Sequence, residues 1–324
     1  METAIGGYFE LADYEEGVFI HQDGELLNTG RNALEYILLN IGNVKCIYLP
    51  YYTCEVVLEP LKRLHIPWHF YHINSCFEII DDIHLKEEEY IIVNNYFGIK
   101  DAYIKVLAEK YCNHLIVDCS QALFAKPIRG IKCFYSTRKF VGVADGGIAY
   151  LGNLTDSKIM INEIDCTDDH DSHLYIRKQF GAEAGFADYQ KNETKLDNQP
   201  VRRMSIKTKK ILEHIDYEKI LLKRRYNFHY LHDALSEINF LNLPELDTFE
   251  CPMVYPFIIN KNINLRKELL NKKIFVAQYW PNVHYMYGFE IEWDLSNKIV
   301  PIICDHRYGM NELKRIIQTI LLYA

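Results

Sequence analysis

With 324 residues, 49% of them hydrophobic, and a formal net charge of −8, the chain is long enough for one large domain and a smaller companion. The acidic balance and the lack of a sustained Lys/Arg run exclude a nucleic-acid-binding protein; Lys207, Lys209 and Lys210 read as a solvated helix face. No apolar stretch reaches the length of a membrane span, and nine cysteines without CxxC spacing or a signal peptide read as reduced thiols of a cytoplasmic protein.

In chain order, Gly6-Gly7-Tyr8-Phe9-Glu10 lies in a stretch, residues 1–20, that reads as an N-terminal arm placed to pack on a partner subunit. Arg31 to Ile41 predicts a helix, because Leu34, Ile37, Leu38 and Ile41 share one face. Lys45 to Pro50 predicts a strand. Thr53 to His65 predicts a helix with Thr53 as its N-cap and Pro60 at a kink. Further strands are expected over Trp68 to Ile73, Tyr90 to Asn94, His114 to Asp118, Lys132 to Tyr135 and Gly147 to Leu151, with a helix over Asp101 to Tyr111. This alternation predicts an α/β domain with a mostly parallel sheet. Leu154 to Pro200 is polar and irregular around a helical stretch. Ser205 to Leu235 predicts one long helix or two. Beyond it come a strand (Met253 to Ile259), a helix (Leu265 to Asn271), two short extended runs and a terminal helix (Met310 to Tyr323). The expected division is an arm (1–20), a large domain (21–210) and a smaller α+β C-terminal domain (211–324).

Three places in the large domain carry chemistry. An apolar strand delivers Asp118 to its carboxyl end, in Ile116-Val117-Asp118-Cys119-Ser120-Gln121, where parallel sheets bind ligands. Lys139 follows the next strand, three residues after Ser136, and is itself followed by Gly142 and by Asp145-Gly146-Gly147. The first helix opens on Asn28-Thr29-Gly30-Arg31-Asn32, where free backbone N–H groups suit a phosphate. Each place alone has an ordinary structural reading: a turn Asp, a surface lysine, a simple helix cap. Together they are what pyridoxal 5'-phosphate requires: a lysine to hold it, an acid for its pyridine nitrogen, and donors for its phosphate.

The same segments resemble the DegT/DnrJ/StrS sugar aminotransferases of fold-type I. The family's Gly-Thr-x-Ala-Leu is matched by Gly30-Arg31-Asn32-Ala33-Leu34, its Pro-x-x-Thr by Pro50-Tyr51-Tyr52-Thr53, and its Glu-Asp-Ala-Ala-Gln-Ala by Val117 to Ala122. Its Lys-Asn-Leu-Gly…Asp-Gly-Gly is matched by Lys139 to Gly142 and Asp145 to Gly147, and its Tyr-Arg-Met-Ser by Arg202 to Ser205. The resemblance implies a fold-type I transferase that uses pyridoxal 5'-phosphate. Lys139 and Asp118 would be catalytic, with Gly30, Arg31, Asn32, Tyr52, Gln121 and Ser136 also holding the cofactor. The implied reaction moves an amino group from a donor such as glutamate to a keto-sugar, expected to be nucleotide-linked, in a homodimer.

Three positions depart from the family. Cys54 stands where a ring-stacking aromatic is usual, which passes that role to Tyr52 or Tyr96. Phe134 replaces the phosphate serine, leaving Ser136. Val201 replaces the asparagine offered by the partner subunit, with Asn198 nearby. These departures motivate a second reading, a non-catalytic protein of the same fold that binds a sugar or a partner. Cys166, His170 and His173, within the acidic run Asp165 to Asp171, read as a solvated loop rather than a metal site. Arg307, before the last helix, suits either a substrate carboxylate or phosphate, or a local salt bridge.

Overall fold

A computed structural model describes residues 3–154, 159–168, 170–285 and 290–324. In chain order the strands are β1 (Ile5–Gly6), β2 (Glu25–Leu27), β3 (Cys46–Pro50), β4 (Trp68–Tyr71), β5 (Glu89–Asn94), β6 (Leu115–Cys119), β7 (Lys132–Ser136), β8 (Gly147–Tyr150), β9 (Tyr255–Phe257), β10 (Ile274–Phe275) and β11 (Val300–Ile302). The helices are α1 (Gly30–Ile41), α2 (Leu58–Arg63), α3 (Asp101–Tyr111), α4 (Ser172–Phe180), α5 (Phe186–Leu196), α6 (Ile206–Leu212), α7 (Tyr217–Leu235), α8 (Leu265–Asn271), α9 (Glu290–Lys298) and α10 (Met310–Leu321).

Seven strands form one sheet in the order β2-β8-β7-β6-β5-β3-β4. The five from β4 to β7 run parallel, and β8 and β2 are antiparallel additions at one edge. The central strands are mostly apolar, with polar residues confined toward their ends, because both faces are covered. Alternate residues divide between two cores. Ile92, Ile116, Phe134 and Ala149 meet Leu34, Ile37 and Leu38 of α1 and Leu61 of α2. On the other face, Ile91, Val93, Leu115, Val117 and Tyr135 meet Ile104 and Leu107 of α3 and the C-terminal elements. A small antiparallel pair, β9 with β11, lies in the C-terminal part. The architecture is therefore the expected one: an α/β fold with a mostly parallel sheet and a smaller C-terminal sheet. No helix among the described residues is long and apolar enough to cross a membrane.

Several expected elements are redrawn. Thr53 caps no helix; its hydroxyl accepts from Asn94 Nδ2 at 3.0 Å, and a 3-10 turn over Glu55–Val57 leads into α2. Pro60 falls in the first turn of α2, where no N–H is needed, so it introduces no kink. Ser205 to Leu235 divides into α6 and α7 because Ser205 and Asp216 each cap a helix. The polar stretch before it holds two helices, α4 and α5. The helix α9 and the edge strand β2 are elements the sequence pattern did not announce. The N-terminal arm packs on its own chain: β1 pairs in parallel with β10, and Arg177 and Arg307 bind the carbonyls of Gly6 and Tyr8 at 2.8 and 3.1 Å.

The junction of β8 with α1 places the start of that helix. A Cβ on Gly147 would lie 2.1 Å from the carbonyl oxygen of Thr29 and 2.8 Å from the nitrogen of Gly30, both backbone atoms with little room to yield. Gly147→Ala is expected to cost about 3 kcal/mol or more of stability, because overpacking against backbone must move a strand or a helix end. Chemical denaturation checks this, and a shift below about 1 kcal/mol would mean that the junction gives way easily.

Candidate active site

The parallel strands end at a common edge, and the loops beyond them carry the site. From β6, Asp118 is buried, and its Oδ1 accepts from the N–H of Ser120 at 2.7 Å. Burial pushes its carboxyl above the usual range, while the Lys139 ammonium and the Ser120 hydrogen bonds pull it back. From β7, a single turn over Thr137–Lys139 presents Lys139. Thr137 anchors that turn, its hydroxyl reaching the carbonyls of Asp145 and Gly146 at 3.3 and 3.2 Å. Lys139 is half-buried, and among the described residues its Nζ has no hydrogen bond or ion pair. Burial also raises the Cys54 thiol, and Lys139 opposes that shift in turn, so the ammonium lies within electrostatic reach of both groups.

Asp118, Lys139, Gly30, Arg31, Gln121 and Ser136 line one cavity of about 220 Å³. The start of α1 forms one wall. The Thr29 hydroxyl accepts from the N–H of Asn32 at 3.2 Å, which leaves the N–H groups of Gly30 and Arg31 without an acceptor among the described residues. A Cβ on Gly30 would stand 3.2 Å from Ser120 Oγ, within the cradle that the glycine keeps open. Arg31 contributes backbone rather than charge, because its guanidinium is bound to Glu59 at 2.7 Å and Asp197 at 2.8 Å. Gln121 is buried; its Oε1 accepts from the N–H of Phe97 at 2.9 Å, and its Nε2 has no partner among the described residues.

Two expected site residues are not among those lining the cavity. Asn32 uses its side chain to hold the segment before α6, donating to Gln199 O at 3.2 Å and accepting from Arg202 N at 3.0 Å. Tyr52 is fully buried behind the cavity and donates to Tyr279 O at 2.9 Å. Trp280 reaches the cavity instead, its ring edge-on to Tyr52 with centroids 4.8 Å apart. Tyr96 is also buried and bonds to the Tyr52 carbonyl at 2.7 Å. Ser120 is a further lining residue that stood inside a quoted motif without being singled out. Trp280 had no sequence signal: it comes from a short irregular run more than a hundred residues downstream.

The other candidates take scaffold roles. Asp145 accepts from the backbone N–H and hydroxyl of Ser205 at 2.7 and 2.8 Å and from the Thr208 hydroxyl, joining the Asp-Gly-Gly and Arg-Met-Ser segments. Val201 packs with the α1 core. Asn198 has φ of 52°, and its N–H donates to Glu59 at 3.2 Å. Phe134 lines the cavity with an apolar ring. Cys166 bonds to Met204 O, and His170 lies beside Lys195; residue 169 of that acidic run is outside the described residues. Arg307 forms a double salt bridge with Asp305, which holds that carboxyl far below its ordinary range against the opposing effect of burial.

No family model matches the sequence, and no curated protein matches it. Solved structures do match, along nearly the whole chain. A DegT DnrJ EryC1 StrS aminotransferase from Brucella abortus has a TM-score of 0.65 and 15% identity, covering 93% of this chain and 85% of its own. The sugar aminotransferase CalS13 from Micromonospora echinospora has a TM-score of 0.61 and 14% identity, covering 92% and 86%. Spr1654 from Streptococcus pneumoniae, in its PLP-form, has a TM-score of 0.62 and 12% identity, covering 97% and 92%. At these identities the likeness establishes the fold: this chain is built as the sugar aminotransferases are.

Proposed function

We propose that the chain is a pyridoxal 5'-phosphate-dependent aminotransferase that moves an amino group from an amino acid such as glutamate to a nucleotide-linked keto-sugar. The observation that carries this reading is the shared cavity, lined by a lysine with no hydrogen bond or ion pair among the described residues and by a buried carboxylate, beside the open N-terminus of α1. The cofactor fits the residues present. Among the described residues the N–H groups of Gly30 and Arg31 and the Nε2 of Gln121 are donors without acceptors, and Asp118 is a buried carboxylate that a cation would stabilise. When bound, the cofactor supplies a carbonyl that exchanges with amines and a ring that accepts electrons.

Each residue then has a task. Lys139 would hold the cofactor and would move the proton as general base and then as general acid. Asp118 would keep a proton on the ring nitrogen by opposite charge. Gln121 would offer a donor to the cofactor's hydroxyl. Gly30 and Arg31 N–H groups, with the hydroxyls of Ser120 and Ser136, would take the phosphate at the positive end of α1. Trp280, which lines the cavity, would pack on the cofactor in the role that Cys54 is too small to fill. In this reading residues 21–210 form the cofactor-binding domain, residues 211–324 close over it, and two copies of the chain pair as a dimer, as the resemblance implies.

The test is spectroscopic. Pyridoxal phosphate added to the chain should produce near-visible absorbance, glutamate should bleach it, and a nucleotide-linked keto-sugar should restore it. A protein that remains yellow with every amino donor would support the non-catalytic reading that the Cys54 and Phe134 positions raise.

A further inference from the structure

Trp280 lies in no helix or strand, yet it is buried and lines the cavity of Lys139 and Asp118. The residues beside it are tied to the loop beyond β3. The carbonyl of Tyr279 accepts from the Tyr52 hydroxyl at 2.9 Å, and Asn282 Nδ2 donates to the carbonyl of Thr53 at 3.1 Å. The carbonyl of Trp280 itself is held from α9, where it accepts from the Ser296 hydroxyl at 2.9 Å. That bond uses the one hydroxyl proton, so His284 Nε2–H donates to the Ser296 oxygen, at 3.2 Å. Trp293 of α9 stands edge-on to the His284 ring, with centroids 5.3 Å apart.

The helix α9 is anchored in turn. Glu292 is 1% exposed; its Oε1 accepts from the N–H of Ile73 at 2.8 Å and lies 3.1 Å from His72 Nδ1, in the segment that follows β4. Arg266 of α8 donates to the carbonyls of Ser296 and Ile299, at 3.3 and 3.2 Å. Among the described residues of α9, only Glu292, Leu295 and Ser296 are buried. Two of the three groups that seat this helix are therefore polar, and directed bonds rather than apolar area fix its position. A buried carboxylate is costly unless its partners are close and well aimed, so Glu292 favours one placement of α9 on the β4 edge of the sheet. Ser296 lies four residues further, on the same face, and carries that placement to Trp280.

We propose that α9 positions Trp280 against the cofactor, with Glu292 and Ser296 as the positioning residues. The hold of α9 on Trp280 stands on the bonds above; only what Trp280 packs against rests on the aminotransferase reading. Because Cys54 supplies no ring, the aromatic wall of the cavity depends on a helix outside the sheet.

Hydrogen exchange of the full chain, followed by mass spectrometry, tests the hold. In Ser296→Ala and in Glu292→Ala, peptides covering Tyr279 to His284 should exchange about fivefold faster or more, as loss of one buried hydrogen bond implies. Glu292→Gln keeps an acceptor for the N–H of Ile73 and should restore wild-type exchange. A purely local role for Glu292 would speed exchange in α9 and around Ile73 and leave Tyr279 to His284 unchanged, which overturns the proposal. If Ser296→Ala does not fold, the comparison of Glu292→Ala with Glu292→Gln decides; if Glu292→Ala does not fold, Ser296→Ala decides. Fluorescence tests the contact. Pyridoxal phosphate should quench tryptophan emission more in the wild type than in Trp280→Phe, and Ser296→Ala should shift the quenching toward that of Trp280→Phe. Borohydride labelling at Lys139 in the wild type keeps the two readings apart. Labelling with no quenching that depends on Trp280, or with no change in exchange, removes the role of α9 and leaves the cofactor assignment. Faster exchange without labelling supports the hold of α9 on Trp280 and removes only the cofactor assignment.

Discussion

Lys139→Ala is expected to abolish amine transfer, lowering its rate by about 10⁴-fold or more, a barrier increase of about 5.5 kcal/mol. Two functions disappear with one amine: the covalent hold on the cofactor and the proton carrier beside the reacting atoms. The fold should survive. Lys139 is half-buried and makes no hydrogen bond or ion pair among the described residues, and the turn that presents it is anchored by Thr137. Its replacement should change stability by about 1 kcal/mol or less. Single-turnover transfer together with thermal unfolding gives both numbers. A variant with an unchanged melting point and near-normal transfer would show that another group does the chemistry.

Asp118→Asn is the more discriminating substitution, because Asn keeps the shape and the acceptor oxygen. The bond from Ser120 N–H to Oδ1 at 2.7 Å can be retained, so the turn after β6 should persist. Only the negative charge is lost. Pyridoxal phosphate should still load, since Lys139, the start of α1 and Gln121 are untouched. The ring nitrogen would no longer be held protonated, and transfer should fall by about three orders of magnitude, or about 4 kcal/mol. If Asp118 were only a turn residue, the cost would be about 1 kcal/mol of stability and little activity. Absorbance reports loading and single-turnover kinetics report transfer, so near-normal rates would move the ring's acid elsewhere and redraw the alignment from Asp118 to Lys139.

The residues that could be read from the sequence share one property: a strand delivers them. Asp118 and Lys139 follow apolar runs buried on both faces, and such runs remain visible without any partner in view. Gly30 was legible for a similar reason, since a helix start leaves its own signature. Asn32 and Tyr52 are not among the residues that line the cavity, because their side chains are engaged elsewhere. Thr29 takes the N–H of Asn32 as its cap bond, and Tyr52 points into the aromatic cluster with Tyr96 rather than into the cavity. Thr53 was legible as a cap by type, but a tertiary bond from Asn94 claims its hydroxyl. Trp280 could not have been placed, because its position depends on how the segment before α9 packs against the loop beyond β3 and against Tyr96. The two-residue strand β1 is likewise too short to have a period; only its pairing with β10 reveals it.

The most direct measurement takes the wild-type chain with pyridoxal phosphate bound, reduces it with borohydride and maps the modified peptide by mass spectrometry. The account predicts one labelled residue, Lys139, in the peptide that contains Ser136 and Phe140. Label on any other lysine, or none at saturating cofactor, would contradict it.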